Sequence, residues 1–373
     1  MKHFAAKILL NVLFVFGGVV AHAADVSPVG TETNTPPPPV SAKDADTAFA
    51  AYNKAFYVVE NGKGYYKETE AGGRNHFWTQ AEEIEMILDR WEHSRLPGDV
   101  ALIKESIAGF VDHSGTNWLS NPYNDDIMWM TIACARAFLD TSNVAYKDLA
   151  KFNFDGTFAR AWSTNLGGGL WWTTTNASKN ACVNGPAAIA ACYLSQILND
   201  PAYLDKAKDI YSWERKTLFD ASSGAIQDSI RADGRIGGQP LTYNEGTFIG
   251  SANLLGKLTE DKSYFADAEK SVDYTRDTLC ASGILPGYRG GDAAGFNGIF
   301  VRWMAQFTTD NHLWPKYHDW MSRNANTAWA SRRADNLSWN RWRIPTPHRP
   351  LRAWACADTV VILQVVPLQS PAK

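Results

Sequence analysis

The sequence predicts an all-α protein, an (α/α)6 barrel in which six helical hairpins close into a toroid. Three observations lead there. Apolar residues recur at i, i+3, i+4 and i+7 almost without a break between residues 42 and 363. The period-two alternation that marks strands is nearly absent. Helices apolar on most of their surface alternate with amphipathic ones, as an inner and an outer ring require. A helical solenoid would instead carry a fixed sequence period, and none of the known repeat signatures is present.

Taken in order, the periodicity places the first four helices at 42–56, 80–94, 99–113 and 124–140, the last opening with "NDDIMWM". The next four fall at 145–162, 184–198, 201–219 and 244–258, and the final four at 262–279, 293–307, 311–330 and 351–363. The sixth, "NGPAAIAACYLSQIL", is apolar nearly all round, whereas its successor "PAYLDKAKDIYSWERKTLF" has one charged face. The first reads as inner and the second as outer. Three connections, "NLGGGLWWTTTN", "DSIRADGRIGGQPLTYN" and "SGILPGYRGGDAAGFN", combine glycine with aromatics and mark a binding face.

Ahead of the helices, Lys2 and Lys7 flank the start of an apolar run that ends at "AHA". This is the pattern of a secretory signal peptide over 1–23, with cleavage expected after Ala23 and a proline-rich linker over 24–43. A single domain is expected over 44–367. The run is short for a membrane span, so export to a periplasm or the extracellular medium is expected, without stable membrane insertion. A formal charge of −3 with no basic run excludes a nucleic-acid footprint. Cys134, Cys182, Cys192, Cys280 and Cys356 leave room for a disulfide but not for a disulfide framework; at least one thiol must stay unpaired in a monomer, the expected state.

Asp125 and Asp126 form the one Asp-Asp pair of the chain. Asn124 as helix cap, with the acids favoured by the helix dipole at about 0.3 to 1 kcal/mol each, is the plain explanation. The flanking Tyr123, Ile127, Met128 and Trp129 argue for an apolar, partly buried setting instead. Two carboxylates roughly 5 Å apart repel by about 3 kcal/mol at an effective dielectric of 20, about two pKa units. One then holds a proton while the other stays ionised, the division that glycosidic cleavage needs, and about 5 to 5.5 Å suits a retaining mechanism. A metal would need further ligands, and neither a carboxylate-rich or His-rich cluster nor "HExxH" is present, so no metal and no cofactor are expected.

Fifteen Trp, 14 Tyr and 17 Phe supply more flat faces than packing alone usually demands, and such faces suit sugar C–H surfaces. Trp171 and Trp172, after three glycines, are the leading platforms, with Trp78 a weaker one. Asn180, Asn184, Asp228, Tyr243 and Asn244 lie on the same kind of connection and are candidate substrate contacts, with capping or turn formation as the alternative. Nucleophile-elbow, phosphate-loop and dinucleotide motifs are absent.

In order along the chain, "FWTQAEEIEMILDRW", "YNDDIMWMTIACARAF", "GGGLWW", "KNACVNGPAAIAACYL", "TYNEGTFIGSANLL" and "FNGIFVRWMAQF" resemble glycoside hydrolase family 76, the endo-acting α-1,6-mannanases and related transglycosidases. The resemblance runs from about Phe77 to about Phe307. It implies the barrel already read from the pattern, an α-1,6-mannan substrate, retention of configuration, Asp125 as nucleophile and Asp126 as general acid/base. It also implies substrate contacts from Tyr123 and Asn124. Two positions depart from the family pattern: Glu245 replaces a common glutamine and Asn297 a common lysine. A transglycosidase, or a glycan-binding barrel without turnover, are the competing readings.

Overall fold

Helices begin where the chain supplies caps and end where it supplies turns. The computed structural model describes residues 39–280 and 282–366; the expected signal peptide, most of the expected linker and the last residues lie outside them. Ser41 caps the first helix, its hydroxyl facing the Asp44 amide while the Asp44 carboxylate accepts from the Ser41 amide at 2.8 Å. Pro97 and Pro201 open two others at the position where a missing N–H costs nothing.

The outer ring consists of α1 (Ala42–Phe56), α3 (Pro97–Ser114), α5 (Val144–Ala161), α7 (Pro201–Thr217), α9 (Ser263–Tyr274) and α11 (Trp314–Ala330). Between them lie α2 (Phe77–Ser94), α4 (Asn124–Thr141), α6 (Ala181–Leu198), α8 (Thr242–Thr259), α10 (Phe296–Asp310) and α12 (Ala353–Val365). Each of these six packs on the next, α2 on α4 and so on to α12, and α12 packs back on α2. The inner ring is therefore closed, and the fold is the (α/α)6 barrel that the pattern predicts. By length and apolarity α6 would suffice to cross a membrane, but here it is buried among α4, α7 and α8. At Gly246 a β-carbon would meet the Phe300 Cα at 2.6 Å, so α8 and α10 approach backbone to backbone and only glycine fits.

Running down the barrel interior is a network that helical periodicity does not reveal. Arg136 of α4 donates to Glu85, Asp89 and Glu92 of α2 at 2.8 Å each. Arg302 of α10 donates to Asp89 at 2.7 Å and also binds Glu82. Burial pushes Glu82 up to about 8 against the pull of Arg302, while the two guanidinium groups overcome burial and hold Asp89 below its usual range. Glu82, Glu85 and Asp89 of "QAEEIEMILDRW" thus face the lumen rather than solvent, while Glu83 turns to the outer ring and accepts from Tyr52 on α1 at 2.7 Å and from Asn75 at 2.8 Å.

Few strands are expected, and five short ones form. β1 (Tyr57–Glu60) and β2 (Lys63–Tyr66) make a hairpin across Asn61 and Gly62, both at positive φ (53° and 74°), the geometry an Asn-Gly pair favours. β3 (Ser178–Asn180), β4 (Ser229–Arg231) and β5 (Ile236–Gly237) form a three-stranded sheet that ties the loop before α6 to the loop before α8. All five cysteines are free and buried, so no disulfide forms and they act as small apolar residues.

Candidate active site

Because inner and outer helices alternate in direction, the six inner helices start at the same end, and their N-termini ring a common mouth. Asp125 and Asp126 lie in the first turn of α4, both partly exposed. Successive helical residues point about 100° apart, so the two carboxyls diverge toward different walls. Asp125 faces the Trp172 indole, the Cys182 thiol on α6 and Tyr243 on α8. Asp126 accepts from Asn121 Nδ2 at 2.8 Å and feels Asp292, ahead of α10, and His76, ahead of α2.

Both carboxyls are pushed up. Burial is the main cause for Asp125, followed by the neighbouring Asp126 charge, and together they raise it to about 8 although Trp172 and Cys182 favour the ionised form. Asp126 rises to about 6, mainly through burial, with the Asn121 donor opposing it. Asp125 Oδ1 and Trp172 Nε1 are both buried without a well-formed hydrogen bond among the described residues. Two such groups titrate as a pair, and near neutral pH that pair retains one proton.

The mouth is lined with rings. Tyr243 stacks on Phe296 with centroids 3.8 Å apart and planes at 13°, Trp78 meets Trp354 edge-on at 4.9 Å, and the 44 % exposed Tyr123 leans on Trp172 at 5.6 Å. Asp228 remains partly exposed beside Cys182 and Tyr243.

Several candidate contacts lie under this surface instead of on it. Trp171 is 5 % exposed, with the Lys179 ammonium 4.7 Å from its ring centroid, so it offers no open face. Asn124 does not cap α4: Tyr123 occupies that position, and Asn124 donates to the Trp171 carbonyl at 2.8 Å and accepts from Arg160 at 2.7 Å. Asn184 accepts from the Leu170 amide at 2.8 Å, and Asn180 accepts from Ser178 at 2.6 Å. Asn244 donates to Asp228 at 3.1 Å. Each is buried, and each positions a mouth loop. Asn297 does the same, accepting from Thr242 at 3.0 Å and donating to the Pro286 carbonyl at 2.9 Å. His76, Cys182, Asp292, Phe296 and Trp354 were not legible as site residues, since no spacing joins them to the aspartates.

Comparisons with known proteins show the family and the fold. The model of the family described as Glycosyl hydrolase family 76 matches residues 41–346. The α-1,6-mannanase GH76A of Salegentibacter sp. HEL1_6 superposes with a TM-score of 0.80 at 29% identity, over 87% of this chain and 98% of that one. An inactive variant of that mannanase, with two successive aspartates changed to asparagine, has been seen in complex with α-1,6-mannotriose; it matches at 28% identity, with the same TM-score and coverage. A putative mannan endo-1,6-α-mannosidase of Schizosaccharomyces pombe is 22% identical over 61% of this chain, and the meiotically up-regulated gene 191 protein of the same yeast 27% over 42%. The chain spans 57% and 38% of the lengths of those two curated relatives.

Proposed function

Because the chain belongs to glycosyl hydrolase family 76, we propose that it is an exported, retaining endo-glycosidase that cleaves α-1,6-linked mannan through Asp125 and Asp126. The observation that carries this reading is the pair itself: two half-buried carboxyls, both raised, at an aromatic-lined mouth. Support comes from the mannanase of similar fold, in which an inactive variant lacking two successive aspartates holds an α-1,6-linked mannose trimer.

In this mechanism Asp125 attacks the anomeric carbon and forms a glycosyl ester while Asp126 gives its proton to the departing glycosidic oxygen. Asp126 then takes a proton from water, which attacks the ester and frees Asp125. Before substrate binds, burial favours the shared proton on Asp125. Cleavage needs it on Asp126. Positive charge developing on the sugar ring beside Asp125, and a glycosidic oxygen within reach of Asp126, both pull the pair toward that arrangement. The Trp172 N–H and Cys182 S–H, which favour ionised Asp125, help.

The test uses linear α-1,6-mannan and an aryl α-mannoside with a good leaving group. Asp126→Asn should lose mannan cleavage yet form the glycosyl-enzyme from the activated substrate, with azide restoring turnover; Asp125→Asn should form none. Wild-type rates in either variant would end the proposal. A ladder of oligosaccharides marks endo action, whereas mannose alone from the first time point would contradict it.

A further inference from the structure

Behind the groove, α7 and α8 bury two carboxyls that the proposed mechanism does not use. Glu214 and Glu245 are both 0% exposed. Glu245 Oε1 accepts from the Ile226 amide at 2.9 Å, but Glu245 Oε2 and both oxygens of Glu214 are buried without a partner among the described residues. The groups that face them are few. On α7, Arg215 is turned to Asp267, and Tyr211 donates to the same carboxylate at 3.0 Å. Ser271 on α9 bonds the Gly224 carbonyl at 2.8 Å and weakly favours ionised Glu245, while Tyr274 after it and Tyr288 before α10 only feel the Glu245 charge. Among the described residues no basic side chain compensates either carboxyl. Burial drives Glu214 well above the carboxylate range, and burial with the adjacent Glu214 does the same to Glu245.

What Glu245 holds is the segment that delivers Asp228. Three successive residues of α8 act on that region: Tyr243 lines the groove, Asn244 donates to Asp228 Oδ1 at 3.1 Å, and Glu245 anchors the Ile226 amide two residues upstream. The segment also bonds within itself, Gln227 to Leu218 and Asp220 to Ala225 at 2.8 Å each, and is tied to α9 through Ser271 and Lys270, which donate to the Gly224 and Ala221 carbonyls at 2.8 and 3.0 Å, and to α6 through the Asp228 carbonyl and the Ala181 amide at 2.9 Å. We propose that Glu214 and Glu245 are positioning residues that work as neutral acids, and that their ionisation releases residues 218–228 and withdraws Asp228 from the groove, setting the alkaline limit of the active conformation. Two uncompensated negative charges in this apolar pocket would repel each other, with no counter-ion at hand.

The sign follows from linkage. A carboxyl whose folded pKa is raised keeps its proton in the native state while the unfolded chain has already released it. Native stability therefore falls as pH rises from the ordinary carboxylate range toward the raised value. Glu245→Gln and Glu214→Gln remove that term and keep the shape. The experiment measures the Tm of the full chain and of each variant from about pH 5 to about pH 9, together with mannan cleavage over the same range. The expected result is a Tm advantage for both glutamine variants that grows with pH, and loss of cleavage in Glu245→Ala that Glu245→Gln restores. A Tm difference that does not change with pH, or a Glu245→Gln variant that cleaves no better than Glu245→Ala, would overturn it. The cleavage arm rests on the function proposed above; if the wild type cleaves no mannan, that function fails and the Tm arm alone decides for or against the acid pair.

Discussion

At one end of the barrel α2 passes to α3 through Arg95 and Leu96, α4 to α5 through Ser142 and Asn143, and α6 to α7 through Asn199 and Asp200. Arg95, Ser142, Asn199, Glu260 and His312 follow inner helices with φ between 51° and 61°, left-handed residues that turn the chain back at once. At the other end the connections run 115–123, 162–180, 218–241, 280–295 and 331–352. They carry Trp172, Asp228 and Asp292, and they meet the helix N-termini that carry the aspartates. The tight end fixes the spacing of the hairpins, and this frees the open end to hold strained, buried and unpaired groups. The lumen network belongs with the tight end: Asp89 and Arg136 lie 12 residues into α2 and α4, roughly 18 Å from the mouth at 1.5 Å per residue.

The sharpest way to break this division is at the mouth. Asp125→Asn should reduce mannan cleavage by at least about 10³-fold and at the same time raise the Tm at neutral pH. The wild-type carboxyl, raised to about 8 by burial and by Asp126, loses stability as pH climbs from its ordinary value, and asparagine does not. The gain should be on the order of 1 kcal/mol at pH 7 and should vanish near pH 4; thermal unfolding at both pH values checks it. An Asp125→Asn protein less stable than wild type at neutral pH would mean that the site is not strained.

Next in size is the closed end. Arg136→Met leaves Glu85 and Asp89 short of a counter-ion and should cost about 3 to 5 kcal/mol, read by denaturant unfolding, while kcat/KM at 25 °C stays within about twofold. Trp172→Phe keeps the ring and removes the N–H that favours ionised Asp125. It should slow cleavage about tenfold and move the acid limb of the pH profile upward, because a nucleophile with a further raised pKa ionises only at higher pH. The smallest effect is at a floor turn: Ser142→Gly relieves a left-handed serine (φ 57°) and should add about 0.5 to 1 kcal/mol with cleavage unchanged.

What the sequence disclosed, and what it hid, follows the same division. The segments 42–56 and 201–219 fall within two residues of α1 and α7, because each has a cap or a proline at its start and apolar residues at helical spacing throughout; 124–140 matches α4 on its apolar spacing alone. The β1–β2 hairpin was missed although Asn61-Gly62 announces it; its strands are only four residues each and show little alternation. Nothing in the sequence singled out Glu82, Glu85 and Asp89, because periodicity cannot tell an outer surface from a polar lumen. Asn124, Asn180, Asn184 and Asn244 stand beside the groove in sequence, but a buried amide is better used satisfying loop backbone. Cys182 reaches Asp125 through the packing of α6 on α4, and Asp292 reaches Asp126 from across the ring, and no local spacing encodes either.

Closure also has a topological consequence. α12 packs against both α1 and α2, and the last turn of α12 and the first of α1 lie together at the end away from the groove. The ring therefore has no privileged starting helix. A circular permutant opened between Asn199 and Asp200, with α12 joined to α1 by a short flexible peptide, keeps every inner-ring contact, and a cargo joined directly ahead of α1 or directly after α12 hangs from the floor and leaves the groove clear.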